Sequence, residues 1–327
     1  MAEIDRAVEI LRRGGVVAFA TETVYGLGAD ARNSDAVRRI FAAKGRPASN
    51  PLIVHVSGVA MAKRYAARWP HAARVLAQSL WPGPLTLVLP KTKDIVDEVT
   101  AGLDTVALRM PDHPLALELI RRFDGPIAAP SANRSTRVSP TTAEHVRQEL
   151  GDAVDMILDG GPCTVGIEST VLDLSGERSI ILRPGGVSRE RIERLIGAVE
   201  VQKPPATEVA SPQGAREEQA AKSPGMQEVH YAPRTPAYRF ERGAEAAREA
   251  DAIVIVRGED EQVHRSGERI IMPRDVEGYA RQLYAVLREA DAAGKQAILV
   301  EIPPDEPQWL AVRDRLMRAT KPLPRRA

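Results

Sequence analysis

The chain reads as an α/β protein: a twisted, mixed β-sheet with flanking helices over residues 1–199, and a smaller α/β unit over 237–327. Three observations predict this. Short β-branched runs such as Val16–Ala20 and Thr105–Met110 alternate with segments whose apolar residues recur at helical spacing. The apolar runs 171–174 and 179–182 lie too close together for a helical crossover and read as a hairpin, so the sheet is mixed rather than wholly parallel. Residues 200–236, with Lys203-Pro204-Pro205, Ser211-Pro212 and Ser223-Pro224-Gly225, carry few apolar positions and read as a linker between the two units.

Taken in order, Ile4, Ala7, Val8 and Leu11 define a first helix that Gly14-Gly15 ends. Val16–Ala20 is a buried strand. The stretch TETVYGLGAD, 21–30, is expected to be a polar loop at its carboxyl end, where α/β sheets present ligand-binding groups. Ser34 is the expected cap of a helix over 35–43, and Leu52–Val56 is a short strand into which only His55 intrudes. The helical stretch 59–80 is interrupted at Pro70 and followed by the rigid turn 81–84. Strands are expected at 85–89, 105–110 and 127–129, with a helix at 115–123. Residues 130–145 form a loop crowded with small hydroxyls. Thr141 and Glu144 stand in capping-box register there, and a helix N-terminus beside Ser139 offers N–H groups suited to an anion. A strand at 156–158 and a helix at 188–197 complete the first unit. The second holds strands at 252–256 and 298–300 and a helix at 276–292.

Composition narrows the function. Of 327 residues, 43 % are hydrophobic and 27 % charged, ordinary for a globular protein. A net charge of +1 gives no global basic field, so any anion site must be a local cluster. The single cysteine, Cys163, excludes an intramolecular disulfide and a multi-cysteine zinc site, and fits a reducing cytoplasm. No run approaches a membrane span, and the charged N-terminus does not read as a signal peptide.

The chemistry concentrates at strand ends. KGRPASNPLIVH, 44–55, holds Lys44, Arg46, Asn50 and His55 on a short loop and strand; Arg offers a bidentate fork to phosphate and Lys a point charge. Taken alone, these four residues also fit a solvated basic loop. Thr23, Thr105, Arg109, Ser131, Asn133, Ser139, Ser169 and Arg183 occupy similar places, and each alone can be a turn hydroxyl, a cap or a surface cation. Together they suit a nucleoside triphosphate and a small polar co-substrate. The familiar phosphate-loop, dinucleotide and nucleophile-elbow signatures are absent. Mg²⁺ is expected to travel on the phosphates rather than in a protein site.

TETVYGLGAD, KGRPASNPLIVH, TVALRMP, APSANRSTRVSPT, GIESTVLDL and LRPGG, in this order, resemble the YrdC-like threonylcarbamoyl-AMP synthases. The HYAP segment at 230–233 and the C-terminal unit resemble the longer, two-domain members. The resemblance implies a YrdC-like catalytic domain (1–199), a linker (200–236) that is a candidate active-site lid, with a passive tether as the alternative, and a small Rossmann-like α/β domain (237–327). It implies the reaction of ATP, L-threonine and bicarbonate to L-threonylcarbamoyladenylate and pyrophosphate. A downstream transferase then modifies tRNA at adenosine 37, and tRNA contact with this chain is indirect at most. Carried over by motif, L-threonine falls to Thr23, His55, Arg109, Ala129 and Ser169. ATP falls to Lys44, Arg46, Asn50, Thr105, Ser131, Asn133, Ser139 and Arg183, with Tyr231 closing over the nucleotide; Lys44, Arg46 and Arg183 are the expected catalytic cations. Ala20 stands where the family often has proline. A carbamoyl-adenylating maturation factor is the nearest enzymatic rival, disfavoured by the single cysteine. An RNA-binding module is disfavoured by the net charge and by only 4 % aromatic residues.

Overall fold

The computed structural model describes residues 2–202, 230–242, 251–258 and 268–324. The first ten strands are β1 (Val17–Phe19), β2 (Gly26–Asp30), β3 (Ile53–His55), β4 (Leu85–Pro90), β5 (Thr105–Arg109), β6 (Ile127–Ala128), β7 (Met156–Leu158), β8 (Thr170–Asp173), β9 (Ile180–Arg183) and β10 (Glu200–Val201). They form one mixed sheet in the order β10-β9-β8-β4-β5-β3-β6-β2-β1-β7. The pairs β3–β5, β4–β8, β1–β7 and β9–β10 are parallel, and the others antiparallel, the 171–183 hairpin among them.

The helices confirm the 3.6-residue reading. α1 (Ala2–Arg12) buries Ala7, Val8 and Leu11; α6 (Pro114–Phe123) buries Leu117, Leu119, Ile120 and Phe123. The stretch 59–80 divides into α3 (Val59–Tyr65) and α4 (His71–Leu80), with Pro70 before the second. α5 (Asp97–Thr100) lies in a polar segment without apolar periodicity. α7 (Ala143–Leu150) and α8 (Arg189–Ile196) complete the set.

Three local expectations are corrected. α2 (Ser34–Lys44) is capped by Asn33, whose side chain accepts from the N–H groups of Asp35 and Ala36; Ser34 is already inside the helix. α7 is capped by Thr142, which accepts from His145 N, so the Thr141–Glu144 register is one residue early; Thr141 N instead donates to His145 Nδ1. The expected 21–30 loop also contains β2. Its glycine content hides a strand because a Cβ at Gly28 would stand 2.7 Å from Phe19 Cε1 and 2.8 Å from Ile127 Cγ2. Tight packing against both neighbours, rather than a turn, requires that glycine.

A second sheet is wholly parallel and made of β11 (Ala237–Phe240), β12 (Ala252–Arg257), β13 (Glu268–Met272), β14 (Ala297–Glu301) and β15 (Lys321–Pro322), ordered β13-β12-β14-β11-β15. It is α/β as expected. Its order differs from the classical dinucleotide-binding sheet, because β14 lies between β11 and β12. α9 (Val276–Ala292) and α10 (Leu310–Ala319) pack on it. Val24, Val138 and Ile167 of the first domain belong to this second core. Arg288 pairs with the buried Glu149 across the boundary, and Arg281 donates to Thr164 O. Within the expected linker, 200–201 is strand β10, 203–229 falls outside the described residues, and 230–236 bridges the two domains: Ala232 N donates to Thr136 O, while Arg234 N and Thr235 N donate to Asp291.

Candidate active site

Strand register gathers the expected residues. Parallel pairing of β3 and β5 sets His55 opposite Arg109. β4 runs antiparallel to β5, so the start of β4, and of its parallel neighbour β8, reaches the same edge. There Thr86 and Ser169 share a hydroxyl hydrogen bond of 2.8 Å. β9 returns antiparallel to β8 and delivers Arg183 beside Ser169, donating to its carbonyl at 2.9 Å. The β2–β6 pairing extends to a bridge between Gly26 and Ser131, which brings the loops after β1 and β6 together.

A single cleft results. Its wall contains Thr23, Arg46, His55, Arg109, Ala129, Ser131, Ser169, Arg183 and Tyr231, nine of the expected residues. Thr21, Glu168 and His230 also line it. Four more expected residues stand just behind the wall. Lys44 Nζ donates to the carbonyls of Ser131 and Asn133. Asn50 O accepts from Arg46 Nε, and Asn133 Nδ2 holds the carbonyls of Arg134 and Arg137 at 2.8 Å. Ser139 Oγ donates to Glu168 Oε1 at 2.7 Å. Thr105 stands apart: it opens β5, shares the face of Arg109 two pleats away, is half-buried and does not line the cleft.

Burial makes this concentration of charge costly. Lys44, Arg46, Arg109 and Arg183 are all under 9 % exposed. Burial, reinforced by the neighbouring Arg46 charge, pushes the Lys44 ammonium well below its ordinary value. Burial lowers Arg46 to about 10, with Arg183 adding to the shift against an upward pull from Tyr231. A polyanion placed here would oppose these shifts. His55 is lowered to about 3, by burial first and by the Arg109 charge second, so its ring is neutral at physiological pH. Among the described residues, its Nδ1 and both polar side-chain atoms of Asn50 have no hydrogen-bond partner. Arg109 Nη2 stands 2.7 Å from Glu22 Oε1, close enough for an ion pair but not aligned as a hydrogen bond.

The second domain closes one side. Tyr231 stacks on Tyr284 at 5.7 Å, and the Arg315 guanidinium lies over its ring at 5.1 Å. Tyr231 has a positive φ of 62°, and the next residue donates from Ala232 N to Thr136 O. Cys163 is buried and pushed up to about 12 by burial, which removes it as a nucleophile.

The Sua5/YciO/YrdC family model, described as telomere recombination, matches residues 9–185, and the model of the threonylcarbamoyl-AMP synthase C-terminal domain matches 187–320. The chain belongs to the threonylcarbamoyl-AMP synthase family. It is similar to the threonylcarbamoyl-AMP synthase of Bacillus subtilis, 42 % identical over 97 % of this chain and 92 % of that one. The synthase of Pyrococcus abyssi is also 42 % identical, over 97 % and 94 %. A crystal structure of P. abyssi Sua5 complexed with L-threonine matches with a TM-score of 0.87 and 39 % identity over 98 % of this chain and 96 % of that chain. Membership makes the chain an enzyme of nucleotidyl-transfer type in its two-domain form.

Sequence reasoning missed Thr21, Glu22, Glu168 and His230 as site residues, and Tyr284 and Arg315 as their support. The first four sit inside quoted motifs: Glu22 between two threonines, Glu168 before Ser169, His230 before Tyr231. An acid beside a small hydroxyl residue was the available signal for Glu22 and Glu168. Tyr284 and Arg315 lie on ordinary amphipathic helices and gave none.

Proposed function

We propose that the cleft binds L-threonine at the His55–Arg109–Ser169 end and ATP along Arg46, Ser131 and Arg183, and joins them through CO₂. The activity is synthesis of L-threonylcarbamoyladenylate from ATP, L-threonine and bicarbonate, with release of pyrophosphate. The observation that supports this reading is the shared cleft: a neutral imidazole, three buried guanidiniums and several hydroxyls line one hollow, with Arg183 held against Ser169. Arg109 suits a carboxylate, and Thr23, Ser169 and neutral His55 suit a hydroxyl and an amine.

The amine adds to CO₂, derived from bicarbonate by loss of water, and gives up a proton to become a carbamate. A carbamate oxygen then attacks the α-phosphorus, and the bond to the bridging oxygen of pyrophosphate breaks. No protein nucleophile is required. Lys44, Arg46 and Arg183 balance charge developing on the phosphates. Holding both reactants in one cleft can supply roughly 7–11 kcal/mol of barrier reduction. Asn50 and Asn133 support the loops that face the triphosphate, Ser139 stands between Glu168 and the phosphates as a further donor to them, and Thr105 lies outside the cleft. Mg²⁺ enters with ATP. Residues 230–233 of the linker close the cleft and protect the hydrolysable carbamate and mixed anhydride from water. The product passes to a tRNA threonylcarbamoyl transferase in the cytoplasm, for modification of adenosine 37.

Pyrophosphate release measured with ATP and Mg²⁺, with and without L-threonine and bicarbonate, tests the proposal. Release is expected only with both. Release independent of threonine would overturn it.

A further inference from the structure

Glu168 is an acid on a cleft wall whose other strongly charged members, Arg46, Arg109 and Arg183, are cations. It is 6 % exposed. Its Oε1 accepts from Ser139 Oγ at 2.7 Å. Its Oε2 accepts from Tyr284 OH at 2.9 Å and from Arg315 Nε at 2.7 Å. Both partners of Oε2 are fully buried, and both belong to the second domain, on α9 and α10. Arg315 is itself fixed by Asp314 at 2.6 Å and by the carbonyl of Pro184 at 2.9 Å, next to Arg183 in sequence.

A carboxylate at the rim of a triphosphate site repels its ligand unless its charge is balanced nearby. We infer that Arg315 is a positioning residue of the ATP site: the second domain neutralises Glu168 through Arg315 and Tyr284, freeing Ser139 to turn to phosphate. This rests on the proposed assignment of ATP to the Arg46–Ser139–Arg183 region. The hydrogen-bond inventory makes the exchange feasible. When Ser139 leaves, Oε2 keeps two buried donors, so Glu168 is not stranded. Without the second domain, Glu168 keeps Ser139 as a partner and draws on Arg183, a cation otherwise available to the incoming nucleotide. The C-terminal domain thereby contributes directly to substrate affinity, through a side chain that need not touch the substrate.

The test uses the full chain and measures equilibrium affinity for ATP–Mg²⁺ and for L-threonine by calorimetry, with thermal melting to establish folding. Arg315→Met is expected to weaken ATP binding by about tenfold or more while threonine affinity stays within about twofold. The double variant Arg315→Met/Glu168→Gln removes the charge that Arg315 balances, and is expected to recover ATP affinity to within about threefold of the unaltered chain. Should Arg315→Met fail to fold, Tyr284→Phe removes one donor from Oε2 and is expected to weaken ATP alone, by about two- to fivefold. A folded Arg315→Met with unchanged ATP affinity overturns the inference. So does equal loss of ATP and threonine binding, or a double variant no better than the single, since a merely structural bridge would give these results. If the unaltered chain binds no ATP, the functional reading itself falls and takes this inference with it.

Discussion

Replacing Arg109 by alanine separates the two ends of the cleft. The guanidinium is 4 % exposed, and its Nη2 stands 2.7 Å from a carboxylate that is itself 4 % exposed. Removing one partner of such a buried pair leaves Glu22 uncompensated and costs about 3–5 kcal/mol of stability. Loss of a charge-assisted contact to the substrate carboxylate adds about 1.5–3 kcal/mol to the free energy of threonine binding. At about 1.4 kcal/mol per factor of ten, that is a rise of about 10- to 150-fold in the threonine KM. The ATP KM should move by less than about threefold, because the phosphate-facing cations are other residues. Steady-state pyrophosphate release with each substrate varied in turn reads both constants. The paired variant Arg109→Ala/Glu22→Gln should regain stability without regaining threonine affinity, because it removes the stranded charge but not the missing clamp. If the ATP KM rises as much as or more than the threonine KM, Arg109 has been assigned to the wrong ligand. If Glu22→Gln restores threonine affinity, its role is to block the site rather than to pair with the clamp.

Gly185→Ala should abolish most activity, since its Cβ would lie 2.3–2.4 Å from the backbone of Glu168, Ser169 and Thr170; kcat/KM retained within about twofold would contradict this. His55 and His230 are both lowered to about 3, burial being the first cause in each. The unfolded chain therefore binds more protons between about pH 3 and pH 6.5. Their contribution is complete above about pH 6.5 and lost as pH falls through that window. Urea unfolding at pH 7 and pH 5.5 should differ by about 2–3 kcal/mol, and His55→Gln should reduce the difference by about half. Cutting the chain after residue 202 retains β10 but removes Tyr231, Arg315 and the partners of Val24, Val138 and Ile167. The fragment should lose activity by about a hundredfold or more; full activity would make 230–236 a tether.

Much of both domains was legible because the signals are local. Apolar spacing located α1, α6 and α9, and β-branched runs located β1, β5 and β12. β2 was not legible, since Gly28 is chosen by Phe19 and Ile127, residues distant in sequence. The caps of α2 and α7 were each displaced by one residue, because Asn33, Ser34, Thr141 and Thr142 are all competent caps and only backbone geometry selects among them. At the site, the motifs contain nine of the side chains that line one cleft, but they do not show which others stand behind its wall or what holds them. Glu168 reads as one more acid in GIEST until Arg315, 147 residues away, is found against it. Long-range ion pairs leave no periodic trace, and two of them, Arg288–Glu149 and Arg315–Glu168, join the domains.

The most direct test follows the carbon. The full chain is incubated with ATP, Mg²⁺, L-threonine and ¹³C-bicarbonate, and the nucleotide product is identified by mass spectrometry. An adenylate carrying threonine and one ¹³C carbonyl, formed together with pyrophosphate, is the expected result. AMP without threonine, or a threonine adduct without the label, would contradict the account.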